Sequence, residues 1–460
     1  MSEETTITQP PLIDSIEEAP SGAPRKGRGT FRALSHRNYR LFFFGQMISV
    51  IGTWMQTTAI QLLVVRLYAN PEEAARWLGA IGFVPLIPLI PFALLGGSLT
   101  DRFPRRTLVV ITQGIMMLIA FALFAVTATG VVTIWHVLVL LIFSGIANAV
   151  DIPARQTLVI EMVDSDKDDL PGAIALNSSI FNLGRAIGPA LAGIIVAAVG
   201  EADAFLLNGV SFIAVLVGLV LMRLPPREIA KKQPKLGAHL KDGFRYIRHE
   251  QTILVLMSMI AMVAFLAMPF TQMLPLFAKY TLASSAAPLT AVVCGPIECT
   301  APEAVTLGLL NGLFGFGALV GALGVAKWSS APVRGAGHGR GRVLTLGNLG
   351  FPMALLLFAL SRSIWLSLGL VFLVGIGWVM QTSLTNTLLQ LTTPDHLRGR
   401  VMSVYSMLFQ GMWRVGSMGS GLLAAAVDPP FAVGVGAALA VGYGVFAALR
   451  WPKTRRLVER

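Results

Sequence analysis

The chain has 460 residues, 54% of them apolar and only 13% charged, with a mean hydropathy of +0.69. A soluble globular domain carries about 25% charged residues, so this composition excludes a soluble enzyme and points to an integral membrane protein. The net charge of +12 needs no nucleic acid, because basic loops beside anionic lipid account for it.

Residues 1–34 contain Glu3, Glu4 and many Ser, Thr and Pro but no apolar run. They read as a disordered cytoplasmic tail, and without a hydrophobic stretch not as a cleavable signal peptide. Apolar stretches of about 20 residues, the length that crosses a bilayer core of about 30 Å, then recur at roughly 41–66, 77–99, 108–129, 133–153, 170–199 and 203–222. Six more follow at 253–278, 304–326, 343–361, 364–386, 398–427 and 431–450. The expectation is an all-α membrane protein with twelve transmembrane helices, several kinked by proline, as by Pro85, Pro88 and Pro91 in the second.

The polar stretch 223–252 divides the chain into an N-terminal six-helix bundle, 35–222, and a C-terminal one, 253–450, with 451–460 as a cytoplasmic C-terminal tail. A weak internal repeat supports two pseudo-symmetric bundles. The stretches from Leu170 and Leu397 share Leu, Gly, Ser and Gly at 170/397, 172/399, 179/406 and 184/411, and both begin the fifth span of their half, as parallel repeats do. Counting Lys and Arg in alternate connections places 30 on one side and four (Arg66, Arg76, Lys279, Arg362) on the other. The positive-inside rule then makes both termini cytoplasmic in a multi-pass inner-membrane protein. Cys294 and Cys299 fall in an outward loop, free or locally bridged.

Polar side chains inside apolar helices are costly, so their placement points to function. Gln46, Ser49, Thr53 and Gln56 recur at helical spacing in the first span, beside Trp54. Ser144, Asn148, Asp151 and Arg155 do so in the fourth, Ser178, Asn182 and Arg185 in the fifth, and Ser403, Ser406, Gln410, Arg414 and Ser417, beside Trp413, in the eleventh. Single Ser, Thr and Asn residues serve equally as interhelical hydrogen-bonding groups. Arg185 and Arg414 cannot shed their charge, which leaves two roles open: contact with an anionic substrate or gate, or an ion pair with Asp151 or Glu161. Trp54, Trp378 and Trp413 offer aromatic surface to a cargo or to packing. Stripes in both halves imply a water-filled cavity between them, the layout of an alternating-access transporter.

The loop after the second span reads GGSLTDRFPRRT at 96–107. It resembles the G-x-x-x-D-R-x-G-R-R signature of the major facilitator superfamily, carried by Gly97, Asp101, Arg102, Arg105 and Arg106, with Pro104 in place of the second glycine. In the fifth span GRAIGPALAG, with Gly184, Gly188, Pro189 and Gly193, is similar to the G-x-x-x-G-P-x-x-G-G element of that superfamily's antiporters, with Ala192 replacing one glycine. The stretches NAVDIPARQTLVIEMV and FLLNGVSFIAVLVGL resemble its enterobactin-exporter-like and macrolide-efflux-like branch.

The resemblance implies a secondary exporter of a small amphipathic or chelating molecule, siderophore or drug-like, coupled to a proton gradient and needing no cofactor or metal. It also implies a cytoplasmic latch in which Asp101 docks near Arg398 at the start of the eleventh span when the protein faces outward, while Arg102 and Arg105 pair with Asp151, Glu161 or Asp164 at the end of the fourth. Asp101, Asp151 and Glu161 are the proton-coupling candidates. Import of a small nutrient and lipid flipping are the alternatives on the same scaffold, and a monomer in the lipid bilayer is expected. No Gly-Lys dipeptide occurs, so the phosphate-cradling loop of an ATP-driven pump is absent.

Overall fold

The computed structural model describes residues 30–163, 169–223, 244–296, 299–330 and 337–450; for 30, 90, 93–98, 101, 326–330, 337–343 and 345 only the backbone is described. Among the described residues all regular structure is helical. After a 3₁₀ turn, Thr30–Ser35, come α1 (Arg37–Leu67), α2 (Pro71–Phe83), α3 (Leu86–Arg102), α4 (Arg105–Ala128), α5 (Ile134–Val163), α6 (Leu170–Val199) and α7 (Glu201–Leu221). Residues 244–249 form α8. It is followed by α9 (Gln251–Leu266), α10 (Phe270–Leu276), α11 (Ala283–Cys294), α12 (Pro302–Ser330), α13 (Gly337–Leu360), α14 (Ile364–Thr392), α15 (Asp395–Ala426) and α16 (Pro429–Arg450).

Nine helical stretches among the described residues are long and apolar enough to cross a membrane. The other three expected spans fall on less uniform elements. The second is broken at 84–85, just ahead of Pro88 and Pro91, into α2 and α3; the ring of a mid-helix proline removes a backbone donor and crowds the preceding turn. The start of α13 lies outside the described side chains, and α15 carries Asp395, Arg398, Arg400 and Arg414. The seventh span is also divided, α9 and α10 meeting near Pro269 before a π-helical turn at Phe277–Thr281.

Folded structure starts earlier than the expected tail boundary at 34. Ala33 is 1% exposed, and buried Asp169 accepts from His36 Nε2 at 3.0 Å and faces Arg32 Nε at 3.4 Å. These contacts tie the 3₁₀ turn to the foot of α6. Most of the expected tail, and 224–243 of the expected linker, lie outside the described residues; 244–249 of that linker are helical.

Packing follows chain order. Among the early helices α1 packs on α6 and α7, α4 on α5 and α7, and α3 on α5. Among the late ones α14 packs on α12 and α13, α16 on α13, and α15 on α9. Early meets late chiefly where α6 crosses α12 and where α2 crosses α15. Alternating chain direction gathers the helix ends at 102–105, 163 and 170, 221 and 244–251, 330 and 337, and 392–395 at one end, the basic end, and those at 67–71, 128–134, 199–201, 294 and 302, 360–364 and 426–429 at the far end.

Candidate functional site

The helices that join early to late do so through glycine. A Cβ on Gly193 of α6 would stand 2.7 Å from the Ala304 carbonyl and 2.9 Å from Gly308 Cα on α12. On the other side, a Cβ on Gly421 of α15 would lie 2.7 Å from Gly79 Cα on α2. Only a residue without a side chain permits backbones to approach so closely. Both crossings use the far halves of their helices: 186–197 of α6 and 414–421 of α15. Toward the basic end the same helices expose Ile174, Ser178 and Ser179, and Ser403, Ser406 and Gln410.

Hydrogen bonds between late and early segments complete the far closure, most of them from late donors to carbonyls of early helices or the residues just after them. Lys279 Nζ donates to Val65 O at 3.0 Å, two residues before α1 ends, and Tyr280 Oη to Ala69 O at 3.2 Å. The Thr300 backbone N–H donates to Ala197 O near the end of α6 at 2.8 Å. Gln61 Nε2 donates to Gln272 Oε1 at 2.9 Å, and Arg414 Nη1 to Gly82 O near the end of α2 at 3.2 Å. The last turn of a helix carries unpaired carbonyls and partial negative charge, so cations there are stabilising.

Where the closure gives way to the open side lies Arg185, midway along α6. Its guanidinium stacks 4.6 Å from the Trp378 ring of α14 and 5.4 Å from that of Trp54 on α1. Thus an early and a late indole clamp one early cation. No carboxylate pairs with Arg185 among the described residues, and its Nε finds no hydrogen-bond acceptor. Two further buried donors nearby are also unsatisfied, Trp378 Nε1 and Asn311 Nδ2. Asn311 is one helical turn before Gly315, where a Cβ would meet the Arg185 carbonyl at 2.9 Å. A cation and two neutral donors without acceptors can receive an acceptor-rich, anionic group.

A family model described as "Transmembrane secretion effector" matches residues 28–457. The chain belongs to that family of major facilitator transporters. It is 24% identical to the multidrug efflux pump Tap of Mycolicibacterium fortuitum over 84% of this chain and 88% of that one. Against the enterobactin exporter EntS of Escherichia coli O1:K1 / APEC it is 23% identical over 81% and 82% of the two chains. The Staphyloferrin A transporter of Staphylococcus aureus is 29% identical over 40% of this chain, a match that spans only 45% of that protein. The fold is that of the nucleoside transporter NupG, with a TM-score of 0.65, 13% identity and coverage of 91% and 98%.

The superfamily elements take these positions. In the antiporter-like element Gly184, Gly188, Pro189, Ala192 and Gly193 are all buried. A Cβ on Gly188 would stand 2.6 Å from Trp54 Cβ and 2.7 Å from the Ile51 carbonyl, so this glycine seats α6 on α1 while Gly193 seats it on α12. In the loop element Arg105 Nη1 bonds Glu161 Oε1 at 2.8 Å, and Arg106 Nη2 caps α7 through Val220 O at 2.7 Å. Gly97 is described only as backbone within α3; the Asp101 side chain and Asp164 lie outside the described residues.

Several expectations are corrected. Asp151 pairs with neither Arg102 nor Arg105: fully buried, it forms an ion pair with Arg155 one turn along α5 and accepts from Thr112 Oγ1 at 2.8 Å and Gln113 Nε2 at 2.9 Å. Arg102 is exposed. Among the described residues no carboxylate pairs with Arg185 or Arg414; Asp151 engages Arg155 and Glu161 engages Arg105. Arg398 meets Asp395 Oδ1 at 2.6 Å and Gln390 O at 3.0 Å, while the Asp101 side chain expected near it lies outside the described residues.

The polar stripes are only partly a cavity lining. Gln56 Oε1 accepts from Asn208 of α7 at 2.7 Å, Asn148 bonds Ser144 O at 2.8 Å, and Asn182 bonds Ser178 O at 3.1 Å. Gln46 is buried with an unsatisfied Oε1, Thr53 and Gln410 are exposed, and Trp413 lies half-buried 6.4 Å from the Phe409 ring. The sequence reading missed Lys279, Thr300 and the glycines of α2, α12 and α15. Small residues at 308, 312 and 315, and at 417 and 421, are the signal that marks those crossings.

Proposed function

We propose that this transporter exports a small amphipathic or chelating molecule bearing an anionic group, by alternating access between two six-helix bundles of twelve spans in all, driven by proton antiport. The observation that carries this reading is Arg185, an unpaired guanidinium held between indoles of an early and a late helix. A cargo anion there would engage both bundles at once, and a ligand drives a conformational change only through contacts that differ between the two states. On this reading the basic end is cytoplasmic, the glycine-sealed far end is the closed outer gate, and cargo enters from the cytoplasm. The disulfide between Cys294 and Cys299 at the far end supports that orientation, since disulfides persist on oxidising sides of membranes. The names of Tap and EntS support export of drug-like or siderophore cargo.

Asp101, Asp151 and Glu161 remain the coupling candidates. Protonating Asp151 gives up its ion pair with Arg155, and protonating Glu161 weakens its bond to Arg105; either event couples a proton to α5.

The test is uptake into proteoliposomes under an imposed pH gradient, across a panel of anionic chelators, neutral antibiotics and cationic dyes, for the parent and Arg185→Gln. Gradient-driven movement of anionic members that the variant loses by tenfold or more is expected. Absence of gradient-dependent movement of any member overturns the export reading; equal transport by the variant removes Arg185 from it.

A further inference from the structure

A second recognition surface lies away from the bundle interface. A groove of about 870 Å³ opens between α8, α9 and α15 at the basic end. Its mouth is formed by Arg245, Arg248 and His249 of α8, and its wall by apolar residues that include Leu254 and Ala261 of α9 and Leu408 of α15. Within it Ser258 is a polar group, but its hydroxyl is engaged with Tyr443 Oη at 2.5 Å, so the interior offers little to a hydrophilic ligand.

The cations are set in place by the fold. Ile247, 5% exposed, is buried in a cluster with Leu256, Leu388 and Val404, which pins α8 against three longer helices. Arg245 and Arg248 are three residues apart, neighbours on a helix surface, and both are exposed. Neither has an ion-pair partner among the described residues, and the nearest described carboxylate in sequence, Glu250, is also exposed.

We propose that this groove binds an anionic phospholipid, its phosphate on Arg245 and Arg248 and an acyl chain along Leu254, Ala261 and Leu408. The charge of the mouth and the apolarity of the wall match the two ends of such a lipid. The position fits as well, because α8 immediately precedes α9 where that helix begins its course into the bilayer, the depth of a headgroup layer. Basic pockets between helices at this depth are lipid headgroup sites on physical grounds. Leu254 to Ala261 is seven residues, about 10 Å of helix, enough wall for part of one chain. The site touches α15, whose other half closes on α2, so an occupant here bears on the helix that closes the far end. The proposal does not depend on the identity or direction of the cargo.

The experiment is native mass spectrometry of the purified full-length protein, titrated in detergent with equal amounts of dioleoylphosphatidylglycerol and dioleoylphosphatidylcholine. The parent retains the anionic lipid at least threefold over the zwitterionic one. Arg245→Gln with Arg248→Gln abolishes that preference, and Ala261→Trp, which fills the groove, lowers retention of phosphatidylglycerol. Melting temperatures measured before lipid is added confirm that the variants remain folded. An unchanged preference in the double variant overturns the site. Displacement of the lipid by millimolar inorganic phosphate would show an anion site with no place for the chain and would likewise overturn it.

Discussion

Arg155 and Arg185 are both buried cations, and their neighbours assign them different tasks. Arg155 answers Asp151, whose other oxygen takes hydrogen bonds from Thr112 and Gln113 on α4; this network fastens α5 to α4. Removing one partner of a buried pair costs about 3–5 kcal/mol, because the survivor keeps its desolvation penalty. Asp151→Asn is therefore expected to lower the melting temperature in detergent and the yield of monodisperse protein, and a parental melting curve would refute the structural role. Arg185 has no such answer, and its replacement should leave folding near parental. Asp101 poses a third case. On the superfamily resemblance its charge is needed only when the basic end closes, so Asp101→Asn is expected to abolish transport while expression and cargo binding persist. Export at the parent rate would sink the latch.

At the scale of elements, the far closure is a pair of glycine crossings. Gly308→Val would put three carbons where even a Cβ meets Gly193 Cα at 2.8 Å, and overpacking of this kind costs about 1–3 kcal/mol. The strain acts on the closed far end alone, so the expected result is a shift toward opening there. Spin labels at Val131 and Arg362, read by electron–electron resonance, should report a longer distance in the variant. Lys279→Met should act in the same direction by leaving the Val65 carbonyl without its cation.

Elements of this kind were unevenly legible. The fifth span, 170–199, coincides with α6 because Pro171 and Gly200 bound it, the one tolerated in a first helical turn and the other taking φ +92° just after the last. Hydropathy ends the fourth span at 153, yet α5 continues to Val163, because Asp151 and Arg155 satisfy each other and the helix need not stop at charge. The stripes in α1 and α5 were visible as periodicity, but Gln56 turned out to serve Asn208 and Asp151 to serve Arg155. Spacing fixes a shared face; it does not say which neighbour that face meets, because the rotation of each helix is set by packing across the whole bundle. The Trp54–Arg185–Trp378 clamp depends on three helices and was out of reach for that reason.

For the whole molecule, charge and redox chemistry make one joint prediction about orientation. Thirty of the 36 Lys and Arg residues belong to the basic side by sequence, and the disulfide Cys294–Cys299 lies at the other end. If the basic end is cytoplasmic, a membrane-impermeant phosphine applied to intact cells should reduce this disulfide, and an impermeant maleimide should then label the freed thiols. A cysteine placed at Ser35, beside the buried Asp169 cluster at the basic end, should stay unlabelled until the membrane is opened. The two sites must respond oppositely, since alternating chain direction puts them at opposite ends of the same helices. Labelling of Ser35→Cys in intact cells with protection of the disulfide would invert the topology, and with it the direction assigned to the glycine-sealed gate.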